Sequence, residues 1–274
     1  MKPLFRCPNC HAPLVDEGKT FRCPKGHAFD KAKTGYVNLI LANQGRKAEE
    51  GDSKESILAR KAFLRKGYYS VLKDGLVNII SSYLSPSFCF ADIACGEGYY
   101  TEGIATSFPT SSILGIDISK AAILEADKQR KASSIGNLSY AVGNMDYLPL
   151  LDESMDGLLN CFAPIAEKEF LRVTKKGGFY FRVLPGVHHL YELKALLYES
   201  PRLNVPKESE LPGFRFLEET EIEGRIEVSQ EDLENLFAMT PYFYKSPLEA
   251  RQKLKEVSSL SLGISFVVRV YQKD

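Results

Sequence analysis

The chain lacks an excess of charge of either sign: 35 lysines and arginines balance 35 aspartates and glutamates. That excludes an electrostatic field over the whole molecule that would gather polyanions, so any nucleic-acid surface must be a local patch. It also lacks any apolar run near the roughly 20 residues needed to span a bilayer, which predicts no membrane segment. No apolar leader precedes the first cysteine motif, because Met1-Lys-Pro-Leu-Phe-Arg runs straight into it. The expected location is therefore cytoplasmic, where thiols stay reduced. Internal repeats and low-complexity tracts are missing too. What remains, 44% hydrophobic and 26% charged residues over 274 positions, is ordinary for a globular chain with a substantial core.

Three stretches differ in character. Residues 1–41 are rich in Cys, His, Gly and Pro and too small to fold on an apolar core alone, which predicts a metal staple. Lys2, Arg6, Lys19, Arg22, Lys25, Lys31 and Lys33 face only Asp16, Glu17 and Asp30 there. Residues 42–56 are polar, with Gly45, Gly51 and Asp52 as breakers, and read as a linker. From 57 to 274 strand-like and helix-like segments alternate. Strands are expected at Phe88–Ala94, Ile113–Ile118, Leu138–Val142, Asp156–Phe162 and Phe179–Leu184. Helices fall between them, one of them capped by Ser119. Weaker strands near Phe214–Ile222 and Ile264–Tyr271 would complete seven. This alternation predicts an α/β fold: a Rossmann-like, seven-stranded, mostly parallel sheet with helices on both faces, joined to a small N-terminal zinc-ribbon-like module.

The ligand-type residues at the N-terminus are Cys7-Pro-Asn-Cys10 and Cys23-Pro-Lys-Gly-His27. Paired donors on two tight turns match the tetrahedral thiolate and imidazole set of one structural zinc ion. Cys7 to His11 also spells the haem c attachment pattern, but that reading needs export and leaves Cys23 and His27 unused. A closed four-ligand site has no open position for catalysis. Cys89 and Cys161 fall in predicted strands and read as core packing, as does Cys95 in the loop that follows the first strand.

That loop is Asp92-Ile-Ala-Cys-Gly96-Glu-Gly98, and Asp117 ends the next strand. Gly96 and Gly98 allow close backbone approach to a ligand at the strand ends, and Asp117 can accept from both hydroxyls of a ribose. A dinucleotide fingerprint would need a third glycine where Thr101 stands, and the acidic Asp92 opposes a pyrophosphate. A dehydrogenase is therefore disfavoured. A ligand with an ammonium group, a ribose and a base suits the loop better, and S-adenosylmethionine has all three. The pattern resembles that of class I S-adenosylmethionine-dependent methyltransferases, which usually carry glycine where this chain has Ala94. Met145 and Asp146, after the third strand, become candidates for reading the adenine.

The whole chain resembles one family, the bacterial 23S rRNA (guanine-N1) methyltransferases of the RlmA type. The resemblance rests on CPNCH…CPKGHAFD, GYVNL at Gly35–Leu39, GDS at Gly51–Ser53, RKAFLRKGYY ending at Tyr69, ADIACGEGYYT, PGVHHLYELK from Pro185 and MTPY from Met239. It implies zinc ligation by Cys7, Cys10, Cys23 and His27, and cofactor contacts by Tyr69, Gly96, Glu97 and His189. It also implies a homodimer and an RNA hairpin, helix 35 in domain II of 23S rRNA, as the partner. N1 lies on the Watson–Crick edge of guanine, so the base must be unpaired or flipped out to react. Asn160 and Phe162, after the fourth strand, are candidates to meet it; capping the loop and filling the core are the competing roles. No residue declares itself the proton acceptor. Two other functions fit the same motifs: a methyltransferase for a small molecule, with the zinc module as lid or oligomer contact, and a non-catalytic zinc-ribbon nucleic-acid-binding protein. The intact Gly96-Glu-Gly98 loop and Asp117 weigh against the second.

Overall fold

A computed structural model of the chain describes residues 4–41, 53–205, 210–246 and 248–274. The N-terminal module holds β1 (Val15–Asp16), β2 (Thr20–Arg22) and β3 (Ala28–Asp30), followed by β4 (Val37–Asn38). Two helices, α1 (Lys54–Arg65) and α2 (Ser70–Tyr83), lead into β5 (Cys89–Ile93), α3 (Tyr99–Ser107), β6 (Ser112–Asp117), α4 (Lys120–Ala132) and β7 (Leu138–Val142). A 3-10 turn at Met145–Tyr147 precedes β8 (Met155–Cys161), α5 (Glu167–Val173), β9 (Thr174–Pro185) and α6 (Tyr191–Leu197). The chain ends with β10 (Phe214–Ser229), α7 (Gln230–Ala238), α8 (Tyr242–Lys245), α9 (Leu248–Glu256) and β11 (Ser259–Lys273).

The main sheet has eight strands in the order β10-β11-β9-β8-β5-β6-β7-β4. From β4 to β9 all neighbours are parallel, and β11 and β10 add antiparallel pairs. The expected seven strands are thus present. The eighth, β4, comes from the zinc-binding end of the chain and pairs with β7 through Val37 and Asn38. Two residues carry no periodicity, so this edge strand has no sequence signal. The expected linker lies mostly outside the described residues. Its last residues, Lys54 to Ser56, form the first turn of α1, because the Ser53 side chain accepts from the Ser56 N–H and caps the helix there.

The two faces of the sheet are covered differently. On one, α2, α3 and α4 pack over Phe90, Ile113, Tyr140 and Phe181, joined by α1, α6 and α7. On the other, α5 covers only part of the sheet. Phe5, Cys7, Leu14 and Cys23 of the zinc module bury themselves there with Ala91, Ile93, Leu114, Ile116 and Leu150. A backbone bridge from Phe5 to Leu150 fixes the module to the sheet. The helices on both faces are therefore unequally shared, and the zinc module stands in for helices on the second face.

Two polar anchors explain motifs that carry no chemistry. The buried Asp127 of α4 accepts from Tyr36 N–H at 2.8 Å and from Arg130 at 2.6 Å. A Cβ on Gly35, at φ +131, would lie 2.7 Å from the Arg130 guanidinium. The GYVNL segment is thus shaped to clip the zinc module to α4. Likewise Lys66 and Tyr68 both reach the buried Asp232 of α7, at 2.7 and 2.9 Å, which sets the position of the neighbouring Tyr69.

Candidate active site and zinc centre

The four N-terminal ligand residues converge. Their donor atoms all lie within 4.8 Å of one another. Cys10 and Cys23 sulfurs are 3.6 Å apart, and His27 Nδ1 is 3.5 Å from Cys7 and 3.3 Å from Cys23. A tetrahedron with Zn–S bonds of about 2.3 Å needs S···S edges of about 3.8 Å, so the set fits one zinc ion. Two tight turns make it: His11 N–H donates to Cys7 O, and Gly26 N–H donates to Cys23 O. Among the described basic residues of the module, Arg22 pairs with Glu17, Lys31 with Asp16 and Arg6 with Asp152.

The second candidate site lies at the C-terminal ends of β5, β6 and β8. Asp92 is buried at the end of β5. Its Oδ2 accepts from Thr101 Oγ1 at 2.6 Å, while Oδ1 has no partner. Thr101, which weighs against a dinucleotide in the sequence, therefore holds the acidic group in place. Burial, with Asp117 and Glu97 nearby, raises the Asp92 carboxyl to about 7. Burial raises Glu97 to about 7 as well, against the opposing pull of Arg65 and Arg60. Glu97 Oε2 stands 3.7 Å from Arg65 and accepts no hydrogen bond. Asp117 accepts from Gly96 N–H at 2.8 Å and from Ser119 N–H at 2.7 Å, binding the loop to the next strand.

The two loop glycines do different work. Both have positive φ, 58° at Gly96 and 84° at Gly98. A Cβ on Gly98 would sit 2.2 Å from the Tyr140 hydroxyl, whereas on Gly96 it would meet nothing closer than Arg60 at 3.6 Å. Gly98 is a packing glycine; Gly96 leaves open space beside the loop. Ala94 also has positive φ, 61°. The departure from glycine there carries a steric cost of roughly 1–2 kcal/mol that the sequence does not reveal. Phe162, at φ 57°, and Leu190, at φ 56°, share that strain just past β8 and β9. Left-handed non-glycine residues thus gather around one end of the sheet, as they do at functional sites.

The other sequence candidates divide. Tyr69 Oη lies 3.3 Å from His189 Nε2, and both rings pack on Phe266, at 4.9 and 4.7 Å between centroids. Phe162 continues this cluster, 5.9 Å from Phe266, and is 45% exposed. Asn160 is fully buried. Its amide donates to Ile93 O at 3.3 Å, leaving Oδ1 without a partner. It therefore does not offer its NH2 to the cleft. Asp146 is exposed on the 3-10 turn, its N–H held by Asn144 Oδ1. Ser265 and Phe266 complete the aromatic corner, yet they come from β11, far along the chain, and no motif marks them.

Comparison with known proteins agrees with this geometry. Residues 5–47 match the family described as RlmA, N-terminal, and residues 90–178 match a methyltransferase domain. A 23S rRNA (guanine(748)-N(1))-methyltransferase of Streptomyces fradiae is 30% identical over 96% of this chain and 95% of its own. A putative 23S rRNA (guanine-N(1)-)-methyltransferase of Bacillus subtilis is 28% identical over 98% and 97%. The likeness runs through the zinc knuckles, the clipped GYVNL turn and the Asp92–Gly98 loop alike, and this chain belongs to the RlmA-type, zinc-ribbon 23S rRNA (guanine-N1)-methyltransferase family.

Proposed function

We propose that the protein methylates N1 of a guanine in the helix 35 hairpin of domain II of 23S rRNA, in the cytoplasm and as a homodimer. The observation that carries this reading is that the match to relatives named for that activity spans both the zinc module and the sheet, 96% of the chain. Residues 1–41 and 57–274 form two walls that accept the hairpin, with Lys19, Lys25 and Lys33 free to meet phosphates.

Buried acceptors without partners fit the cofactor. Asp92 Oδ1 and Asn160 Oδ1 suit an ammonium group, Asp117 suits ribose hydroxyls, and the open side of Gly96 admits the backbone contact. Glu97, Gly98, Asp146, Tyr69 and His189 complete the proposed lining. Bound S-adenosylmethionine supplies a methyl group activated by its sulfonium. The chain's task is then positioning: N1, methyl carbon and sulfur must be in line at near-attack distance. Phe162, strained and exposed, stacks on the flipped guanine. The zinc ion holds structure and takes no part in transfer.

The test is methyl transfer from labelled S-adenosylmethionine to rRNA that lacks the modification, with reverse-transcription stops mapped. A protein-dependent stop in the helix 35 hairpin is expected. Cofactor binding with no methylation of any rRNA would overturn the substrate.

A further inference from the structure

Tyr69 and His189 share a hydrogen bond, and the structure determines which of them donates. Ser265 N–H can only donate, and it reaches His189 Nδ1 at 3.3 Å. Nδ1 is therefore an acceptor. A neutral imidazole with a bare Nδ1 carries its hydrogen on Nε2. Nε2–H then donates to Tyr69 Oη, 3.3 Å away, and the phenol's own hydrogen must point elsewhere.

The arrangement is rigidly held. His189 N–H donates to Gly186 O at 3.1 Å, and Asn204 Nδ2 donates to His189 O at 3.3 Å. Gly186 N–H donates in turn to Ser265 O at 2.8 Å. A Cβ on Gly186 would lie 1.9 Å from Ser265 Oγ, so the close approach of the two strand ends requires glycine there. Burial, reinforced by the nearby Lys194 cation, lowers His189 to about 3. Burial, with Tyr242 close by, raises Tyr69. Both groups therefore stay neutral across the physiological range.

We propose that Ser265 and His189 are positioning residues that make Tyr69 a dedicated hydrogen-bond donor to an oxygen anion, the carboxylate of the methionine moiety. This rests on the reading that Tyr69 and His189 line the cofactor site. The other buried polar atoms there, on Asp92, Glu97 and Asn160, are acceptors without partners. They suit the ammonium and hydroxyl groups of the cofactor and cannot serve its one anion. Tyr69 is the donor that complements them. It is also 3% exposed, behind Phe266, whereas Phe162 forms the open end of the cluster. That depth favours the cofactor over the guanine O6 as its partner.

The experiment compares S-adenosylmethionine with its decarboxylated analogue, which keeps the sulfonium, ribose and base. Binding of both is measured to the full chain and to Tyr69→Phe. The variant should weaken S-adenosylmethionine about ten- to hundredfold, the range for hydrogen bonds to charged groups, and leave the analogue unchanged. Nitrogen-15 NMR of the imidazole should show hydrogen on Nε2 and none on Nδ1, constant between about pH 5 and 9. His189→Gln, whose amide can still donate to Tyr69, should lose less affinity than His189→Asn. Equal losses for both molecules, no loss, or a hydrogen on Nδ1 would overturn the donor assignment. A wild-type protein that bound neither molecule would remove the cofactor reading, and the proposal with it.

Discussion

Two places in this molecule gather polar atoms for a missing partner, and they do so in opposite ways. At the zinc knuckles four donors face one another within 4.8 Å, and nothing else is admitted. At the ends of β5, β6 and β8 the acceptors of Asp92, Glu97 and Asn160 are buried singly, unpartnered, beside an open edge at Gly96. The first is closed and binds an ion for stability. The second keeps unsatisfied groups and strained backbone in reserve for a ligand that comes and goes. One region spends its ligand on the fold, the other on chemistry.

The sharpest way to break that contrast is to remove the metal. Cys7 and Cys23 are part of the core that covers the second face of the sheet. Losing the ion should therefore uncover Ile93, Leu114 and Ile116, not merely fray a terminus. Chelation, or Cys23→Ser, is expected to lower Tm by about 10 °C or more, matching a loss of several kcal/mol. Calorimetry checks it. An unchanged melt of the sheet domain would show that the module is a mere appendage.

The next largest effect belongs to the open site and depends on pH. The Asp92 carboxyl is raised to about 7 in the folded protein, against an unfolded value near 4. The folded state thus holds this proton more tightly. The associated stability is fully present below about pH 4 and is lost as pH rises through about 7. Asp92→Asn keeps the shape and removes the titration. It should match wild type at low pH and be more stable, by up to about 4 kcal/mol, above pH 7. Its affinity for S-adenosylmethionine should nonetheless fall. Urea unfolding across this pH range, with binding measured in parallel, tests both. A variant that gained no stability would mean that Asp92 is not held against its burial.

How much of this was legible in the sequence follows from distance along the chain. The zinc ligands sit in two local turns, and Asp92 to Asp117 spans one strand–helix–strand unit, so spacing alone exposed both. Phe88–Ala94 and Leu138–Val142 were visible as short apolar runs between turn signals, and they appear as β5 and β7. The two-residue β4 was not, because pairing with β7 is a tertiary event. Nor was the role of Ser265, which acts through one backbone N–H and needs no particular side chain. Asn160 and Phe162 were marked together, yet alternation along β8 and the turn after it buries one and exposes the other. GYVNL and RKGYY looked functional; Asp127 and Asp232 show that most of their residues are anchors.

The smallest expected effect separates packing from binding within a single loop. Gly98→Ala would drive a Cβ toward the Tyr140 hydroxyl, 2.2 Å away, at a φ of 84°. Tyr140 is itself buried in the core, so the variant must displace core structure and should unfold more readily. Gly96→Ala meets no such obstacle. Its cost in stability is the left-handed penalty alone, about 1–2 kcal/mol, comparable to what Ala94 already bears in the same loop. Its cost in cofactor affinity should be much larger in proportion, because the added methyl occupies the open side where the ligand approaches. Thermal unfolding and cofactor binding, measured on both variants, would separate the two roles. If Gly96→Ala bound cofactor as well as wild type, the open edge would lie elsewhere, and the contrast between a closed site and an open one would lose its second term.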